Sequence, residues 1–228
     1  MKWRFCWITI LRKIRNKFNI NIYTPESQPM PTAGPEMGEV LKQILKERNI
    51  IFNPGLKLKF IDTQNKELNF ENGRKEKFDY LIGIPPHRAP KAVKDAGLTN
   101  ETGWVPVNAK ILQTKYADVY ALGDITTIKL LGRYKPDVPL NLPKAGVFAH
   151  YQAEVVAHNI ISEINSGSHT EEFGGKGYCF VELGGGVAGY ASGNFYAEPK
   201  PEVDLKKPSK LWHWGKVLFE KWWFWRWF

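Results

Sequence analysis

Cys179 stands in an apolar run, Tyr178-Cys179-Phe180-Val181-Glu182-Leu183, directly ahead of Gly184-x-Gly186-x-x-Gly189. A thiol becomes a nucleophile or exchanges disulfides when its pKa is lowered and it can be reached. The glycine spacing spells a dinucleotide-binding turn, whose backbone receives a pyrophosphate where a helix begins. Here no helix follows. The residues after Gly189, YASGNFYAEPKPEV, have no helical period, and Pro199 and Pro201 interrupt any helix. A strand, a glycine-rich turn and a second aromatic strand are expected instead, which together make a β-hairpin. The other cysteine, Cys6, is far away in sequence, so the two form neither a disulfide framework nor a zinc pattern, and no metal is expected. By type alone, each also reads as a buried thiol acting as a small hydrophobe.

Two further places could hold a ligand. Gly123-Asp124 closes the run DVYALGD, which puts a carboxylate at the C-terminal edge of a strand, where α/β sheets bind their ligands. The same aspartate also reads as a solvated turn residue. Pro143-Lys144-Ala145-Gly146 opens a long helical pattern. Free N–H groups and the positive end of the helix dipole favour an anion there, and Lys144 adds a full charge. The plain alternative is an ordinary helix start with a surface lysine.

The elements that must position these residues follow from periodicity. Phe5, Ile8, Leu11, Ile14 and Phe18 predict a helix over 3–18, and NINIYT predicts a strand over 19–24, ended by Pro25. A helix is expected over 35–48, with Pro35 at its start and Val40, Leu41, Ile44 and Leu45 on one face. The runs IIF, KLKFID and ELNFENG read as short strands, with Asn72-Gly73 as a turn. FDYLIGIPP (78–86) reads as a strand covered on both faces, and ADVYALGDI (117–125) as another buried strand. A long helix is expected over 146–164. This α/β order points to a layered, largely parallel sheet. A nucleotide-binding unit begins with a strand and a glycine-rich turn, whereas this sequence opens on a helical pattern.

The bulk numbers narrow the partners. With 32 Lys and Arg against 23 Asp and Glu, the net charge is +9, which suits nucleic acid, an anionic membrane surface or an anionic cofactor. The basic residues are spread along the chain without an RNA- or DNA-binding motif, so no nucleic acid is expected. Met1 to Phe18 lacks the long apolar core of a secretory signal, and no charge-free stretch has the length of a membrane span. The end of the sequence, KPSKLWHWGKVLFEKWWFWRWF (207–228), sets Trp212, Trp214, Trp222, Trp223, Trp225 and Trp227 among Lys210, Lys216, Lys221 and Arg226. Tryptophan favours the lipid–water boundary and lysine stems snorkel beside it, so this tail reads as an in-plane membrane helix. The alternative is an aromatic helix docked on the protein itself or on a second copy. A peripheral membrane location, cytoplasmic side, is the expectation.

Taken together, YADVYALGDIT, LPKAGVFAHYQAEVVAHNI and GYCFVELGGG, with TPESQPMPTAGPE and IPPHRAP upstream, resemble the sulfide:quinone oxidoreductase group of FAD-dependent, disulfide-reductase-like flavoproteins. The resemblance implies an FAD/NAD(P)-binding, Rossmann-like α/β fold, incomplete at its N-terminus because the family's FAD fingerprint precedes anything present here. It implies three parts: 1–116, a second nucleotide-binding-like domain lacking its first strand; 117–200, the carboxyl-terminal part of the FAD domain; and 201–228, an amphipathic aromatic tail. By the same resemblance, Asp124, through the turn at Gly123, binds the ribityl–phosphate part of FAD. Lys144 and Ala145, in the helix start from Pro143 to Gly146, face the pyrimidine end of the flavin ring. Cys179 matches the family cysteine that, with a second cysteine, accepts sulfide and relays two electrons to the flavin, from which a membrane quinone takes them. Cys6 does not match that second cysteine. Pro85-Pro86-His87 falls in a linking region close to the flavin, and no role is assigned to His87. The expected activity is therefore sulfide:quinone-type oxidoreduction by a truncated or split form, completed by an N-terminal polypeptide or by self-association. An NADH:quinone-type flavoprotein and a non-catalytic remnant that binds membrane or a partner are the alternatives.

Overall fold

The computed structural model describes residues 18–165, 167 and 171–228, so the helix expected over 3–18, save its last residue, and Cys6 lie outside the described residues. The chain divides into two compact units, one ending at His87 and the other spanning Arg88–Phe228.

In the first unit, β1 (Ile20–Tyr23) leads through a helix, α1 (Pro35–Glu47), to β2 (Ile50–Asn53), and the two strands pair in parallel with Ile20 opposite Ile50. This is the strand–helix–strand order read from the sequence. Pro35 pre-sets the first helical φ, and Met37, Leu41, Ile44 and Leu45 bury one stripe of α1. Val40 was expected on that stripe but points to solvent at 46% exposure, since it lies a position to one side of the Leu41–Leu45 row. Three antiparallel strands follow, β3 (Leu58–Asp62), β4 (Glu67–Phe70) and β5 (Lys75–Lys77), in the order β3-β4-β5. The Asn72-Gly73 signal makes the β4–β5 turn, and Leu56, Leu68 and Phe70 form a small core with Tyr23 and Phe78.

One expectation fails here. Residues 78–86 form no strand, and Tyr80, Ile82 and Ile84 are 89, 63 and 63% exposed. An apolar run becomes a doubly covered strand only where neighbouring strands take up its backbone, and no described strand lies beside this one.

The second unit starts with a short helix, α2 (Lys91–Asp95), and a parallel two-strand pair, β6 (Val105–Pro106) with β7 (Thr126–Thr127). Residues 117–125, expected as a buried strand, instead fold back on 112–114. Thr114 N–H donates to Val119 O, Ala121 N–H donates to Leu112 O, and Gly123–Ile125 closes the segment as a 3-10 turn. The backbone of this run is therefore spent locally rather than on a central ladder. The long helix α3 covers Gly146–Ile164, the range expected. Its third residue, Phe148, sits in the main core with Leu112, Ile128, Leu140, Phe173 and Phe195, meeting the Phe195 ring edge-on at 5.2 Å. That burial fixes where the helix begins.

After α3 come β8 (Lys176–Gly184), β9 (Val187–Asn194) and β10 (Glu202–Ser209), an antiparallel sheet in the order β10-β9-β8. The β8–β9 hairpin expected from the glycine run is present, turning on Gly184, Gly185 and Gly186. Strand β10 was not expected: its last three residues, Lys207-Pro208-Ser209, fall in the stretch read as an in-plane helix, and the strand lies on a sheet edge, where lysine and proline are tolerated. The described strands thus form two parallel pairs and two antiparallel sheets rather than one largely parallel sheet.

The last helix, α4 (Lys210–Trp227), is capped by Ser209, whose Oγ accepts from Trp212 N–H at 3.4 Å. One side docks: Trp212 stacks on Tyr190 at 4.7 Å, Phe219 meets Phe180 at 6.1 Å, and Trp223 meets His150 of α3 at 4.7 Å. Beneath it the buried Glu182 lies 3.1 Å from His213 Nδ1 and 3.9 Å from Lys216 Nζ. The other side leaves Leu211, Trp214, Leu218, Trp222 and Trp225 exposed at helical spacing. No described helix is long and apolar enough to cross a membrane.

Candidate functional site

Strand pairing, a left-handed glycine and a helix start converge on one recess in the second unit. It is lined by Gly123, Asp124, Thr126, Pro143, Lys144, Ala145, Phe148 and Gln152, among others. Five of the six residues that the sequence assigned to cofactor binding therefore line this one recess, and the sixth, Gly146, is the first residue of α3 beside it.

Each is placed by an identifiable cause. Gly123 adopts φ +71, and a Cβ built on it would lie 3.1 Å from Ala149 Cβ of α3. Its N–H donates to Gln152 Oε1 at 2.7 Å, and its carbonyl accepts from Thr126 Oγ1 at 2.8 Å. The turn is thus held from both sides, by α3 and by β7, with the Asp124 side chain left exposed. On the opposite wall, Ala145 caps α3 in an extended conformation without a side-chain hydrogen bond, so the helix presents its N-terminus uncapped by any side chain.

Lys144 bridges the two walls. Its Nζ donates to Asp124 O and, at 2.9 Å, to Thr126 O, and it stands 3.5 Å from the centre of the Trp104 ring. Partial desolvation pulls its pKa below the ordinary lysine value, while the Asp124 charge pushes the other way. The recess therefore combines a fixed cation, a helix N-terminus and an exposed carboxylate. Such a wall suits one polar or anionic end of a ligand that also carries hydroxyl groups.

Cys179 lies apart from this recess. It is on β8 opposite Ala191, exposed, with its Sγ 3.4 Å from Phe180 O. Two residues earlier on the same strand face, Gly177 backs onto Phe148, which lines the recess: a Cβ there would come within 2.4 Å of that ring. Close backbone approach at Gly177 is therefore what joins the cysteine strand to the helix start. Among the described residues no group of His, Cys, Asp and Glu could hold a metal.

Sequence reasoning missed Gln152, Thr126 and Trp104. Gln152 had a signal: it falls in the Phe148, Val156, Asn159 stripe, and a buried polar side chain on an apolar stripe must find a partner. Trp104 had none, because its place depends on the Val105–Thr126 pairing of β6 and β7.

Comparison with known proteins gives this arrangement a context. The profile of the pyridine nucleotide-disulphide oxidoreductase family matches residues 9–153. A sulfide-quinone reductase of Aquifex aeolicus (strain VF5) is 25% identical over 195 residues, 82% of this chain and 44% of the relative. The X-ray structure of the sulfide:quinone oxidoreductase from Aquifex aeolicus superposes with a TM-score of 0.83 at 24% identity, over 99% of this chain and 54% of that one. An FAD-dependent pyridine nucleotide-disulphide oxidoreductase from Desulfovibrio vulgaris superposes at 0.55, with 20% identity over 82% of this chain and 45% of its own. The chain spans about half the length of these relatives.

Proposed function

The chain belongs to the pyridine nucleotide-disulphide oxidoreductase family, and from that premise we propose that it forms the flavin-facing and sulfur-handling part of a sulfide:quinone-type oxidoreductase. The observation that carries this reading is the convergence of Gly123, Asp124, Pro143, Lys144 and Ala145 on one recess at the start of α3. The similarity to a sulfide-quinone reductase and to an FAD-dependent oxidoreductase supports it.

The residues present fit one end of FAD. The left-handed Gly123 lets the turn lie against α3, and the helix N-terminus, uncapped by any side chain, together with the Lys144 ammonium, favours an electron-rich group. The exposed Asp124 carboxylate would accept hydrogen bonds from ribityl hydroxyls, and Lys144, Ala145 and Gly146 would face the pyrimidine edge. Bound there, FAD supplies a two-electron acceptor. Cys179 Sγ would take the donor sulfur in a new S–S bond. One thiol and one molecule of hydrogen sulfide then lose two electrons and two protons, and a quinone gains both to become the quinol. A second sulfur within bonding reach is needed if the cysteine is to cycle as a disulfide.

The outward stripe of α4 (Leu211, Trp214, Leu218, Trp222 and Trp225) supports a peripheral membrane contact for this protein, the side from which a quinone would come. The test is a titration of the purified protein with FAD, followed by anaerobic sulfide. Quenched flavin fluorescence on binding and bleaching by sulfide are expected. Cys179→Ala should keep the flavin and lose the bleaching, and unchanged bleaching would remove this cysteine from the mechanism. A colourless protein that takes up no FAD yet binds anionic vesicles would replace the reading with that of a non-catalytic membrane-binding module.

A further inference from the structure

We propose that Trp104 is a positioning residue that holds the Lys144 ammonium on neutral acceptors and off the Asp124 carboxylate, so that the site keeps a positive charge that is not tied up in an ion pair. This inference rests on the reading of the recess as a flavin site, but it concerns a residue that reading does not use.

The Lys144 ammonium has three donors. Two are taken by backbone carbonyls, Asp124 O and Thr126 O, and the ammonium faces the Trp104 ring at 3.5 Å. All three acceptors are neutral. Asp124 is close enough for its charge to act on Lys144, yet Lys144 makes no ion pair among the described residues. A carboxylate and an ammonium on neighbouring walls would ordinarily meet and cancel, leaving little field for a ligand. The cation–π contact supplies an alternative of comparable size that adds no negative charge.

The place of Trp104 is built rather than incidental. It follows a turn in which Gly103 N–H donates to Asn100 O and Asn100 N–H donates to Trp104 O at 3.0 Å, with the Asn100 side chain accepting from Thr102 N–H. It precedes Val105, which is fully buried and paired with Thr126, the residue whose carbonyl Lys144 holds. Register between β6 and β7 thus sets the indole over the ammonium. Partial desolvation lowers the Lys144 titration while the Asp124 charge raises it, so closer pairing with that carboxylate would move the midpoint up.

The experiment compares wild type, Trp104→Phe and Trp104→Leu. In flavin-free protein, the titration of the Lys144 ε-group is followed by NMR of labelled lysine, with Lys144→Arg to assign the signal. FAD affinity is measured in parallel by fluorescence quenching. Trp104→Leu should raise the Lys144 midpoint and weaken FAD binding about tenfold, between the sizes of an exposed and a desolvated cation–π contact. Trp104→Phe, which keeps a ring face, should stay within about threefold of wild type. Adding Asp124→Asn to Trp104→Leu should bring the Lys144 midpoint back down, because no carboxylate remains to pair with it. An unchanged Lys144 midpoint in Trp104→Leu, or equal losses in the Leu and Phe variants, overturns the proposal. If wild type takes up no FAD, the flavin reading fails by itself. The Lys144 midpoints then decide the inference alone, a rise in Trp104→Leu upholding it and no rise refuting it. Thermal melts of both variants identify unfolding, and should Trp104→Leu unfold, Trp104→Phe against Trp104→His supplies the same contrast.

Discussion

Two glycine turns in the same unit have nearly the same φ and opposite surroundings. Gly123 has φ +71 and Gly185 has φ +64. Around Gly185 and Gly186 a Cβ would meet nothing within 4 Å, whereas at Gly123 it would stand 3.1 Å from Ala149 Cβ. The hairpin glycines carry the spelling of a nucleotide turn and lead into strand β9, where no helix N-terminus waits. Gly123 carries no such spelling, yet its N–H is held by a buried glutamine and its turn is tied by Lys144 to the start of α3. The chemistry of a glycine turn therefore comes from what closes around it, and letter spacing alone says little.

The largest effect is expected at Gly123→Val. A β-branched residue cannot adopt φ +71 without strain, and its methyl groups would collide with Ala149. Backbone strain of about 1–2 kcal/mol and overpacking of about 1–3 kcal/mol add to a loss of about 2–5 kcal/mol in urea unfolding. FAD quenching should vanish with it. A fully stable Gly123→Val would show that the turn is looser than described. Next comes Gln152→Leu, which removes the only hydrogen-bond partner described for the Gly123 N–H, from a side chain that is 1% exposed. The orphaned N–H should cost about 1–3 kcal/mol. Amide exchange at Gly123 should accelerate while exchange in the β8–β9 hairpin stays as it was.

A smaller effect is predicted from pH. Lys144 titrates below the ordinary lysine value in the folded protein, so the unfolded chain holds the proton more firmly. The cost of keeping it charged is fully present at neutral pH. Stability then rises with pH between the folded midpoint and the unfolded one near 10.5. Wild type minus Lys144→Met, followed by chemical denaturation across the alkaline range, should show that rising difference. A falling one would mean that Lys144 gains an ion pair on folding.

How much of this was legible in the sequence varied with the range of the interactions involved. Helix 146–164 and the β8–β9 hairpin were read correctly because their signals are local: an unbroken apolar period, and glycines between two strand patterns. The α1 boundaries and the Asn72-Gly73 turn were legible for the same reason. The runs 78–86 and 117–125 were misread because their composition is that of central strands, while strandhood depends on partners elsewhere in the chain. Of the site, Gly123, Asp124 and the Pro143–Gly146 helix start were named from sequence and do line one recess or adjoin it. Trp104 was invisible, since nothing in Thr102-Gly103-Trp104 announces that residue 126 will lie beside it. The aromatic tail was half legible. Its tryptophans were seen as one amphipathic set, but the sheet claims Trp212 and α3 claims Trp223, leaving Trp214, Trp222 and Trp225 for the outer stripe.

The smallest effect is expected at Gly185→Asn, and it is the sharpest control on the comparison. Asparagine tolerates the left-handed region better than other side chains, and its Cβ would point into open space. The hairpin register is set on both flanks, with Glu182 opposite Ala188 and Gly184 opposite Val187, so the turn does not depend on residue 185 lacking a side chain. A cost within about 0.5 kcal/mol is expected, with FAD affinity unchanged. Gly185→Ala should cost about 1 kcal/mol from backbone strain alone. Gly123→Ala, at nearly the same φ, should cost that amount plus the contact with Ala149. The excess at position 123 is then a direct measure of how closely the turn is pressed onto α3. Equal costs at the two positions would mean that the two turns differ only in address, and that the recess owes nothing to the closeness of Gly123.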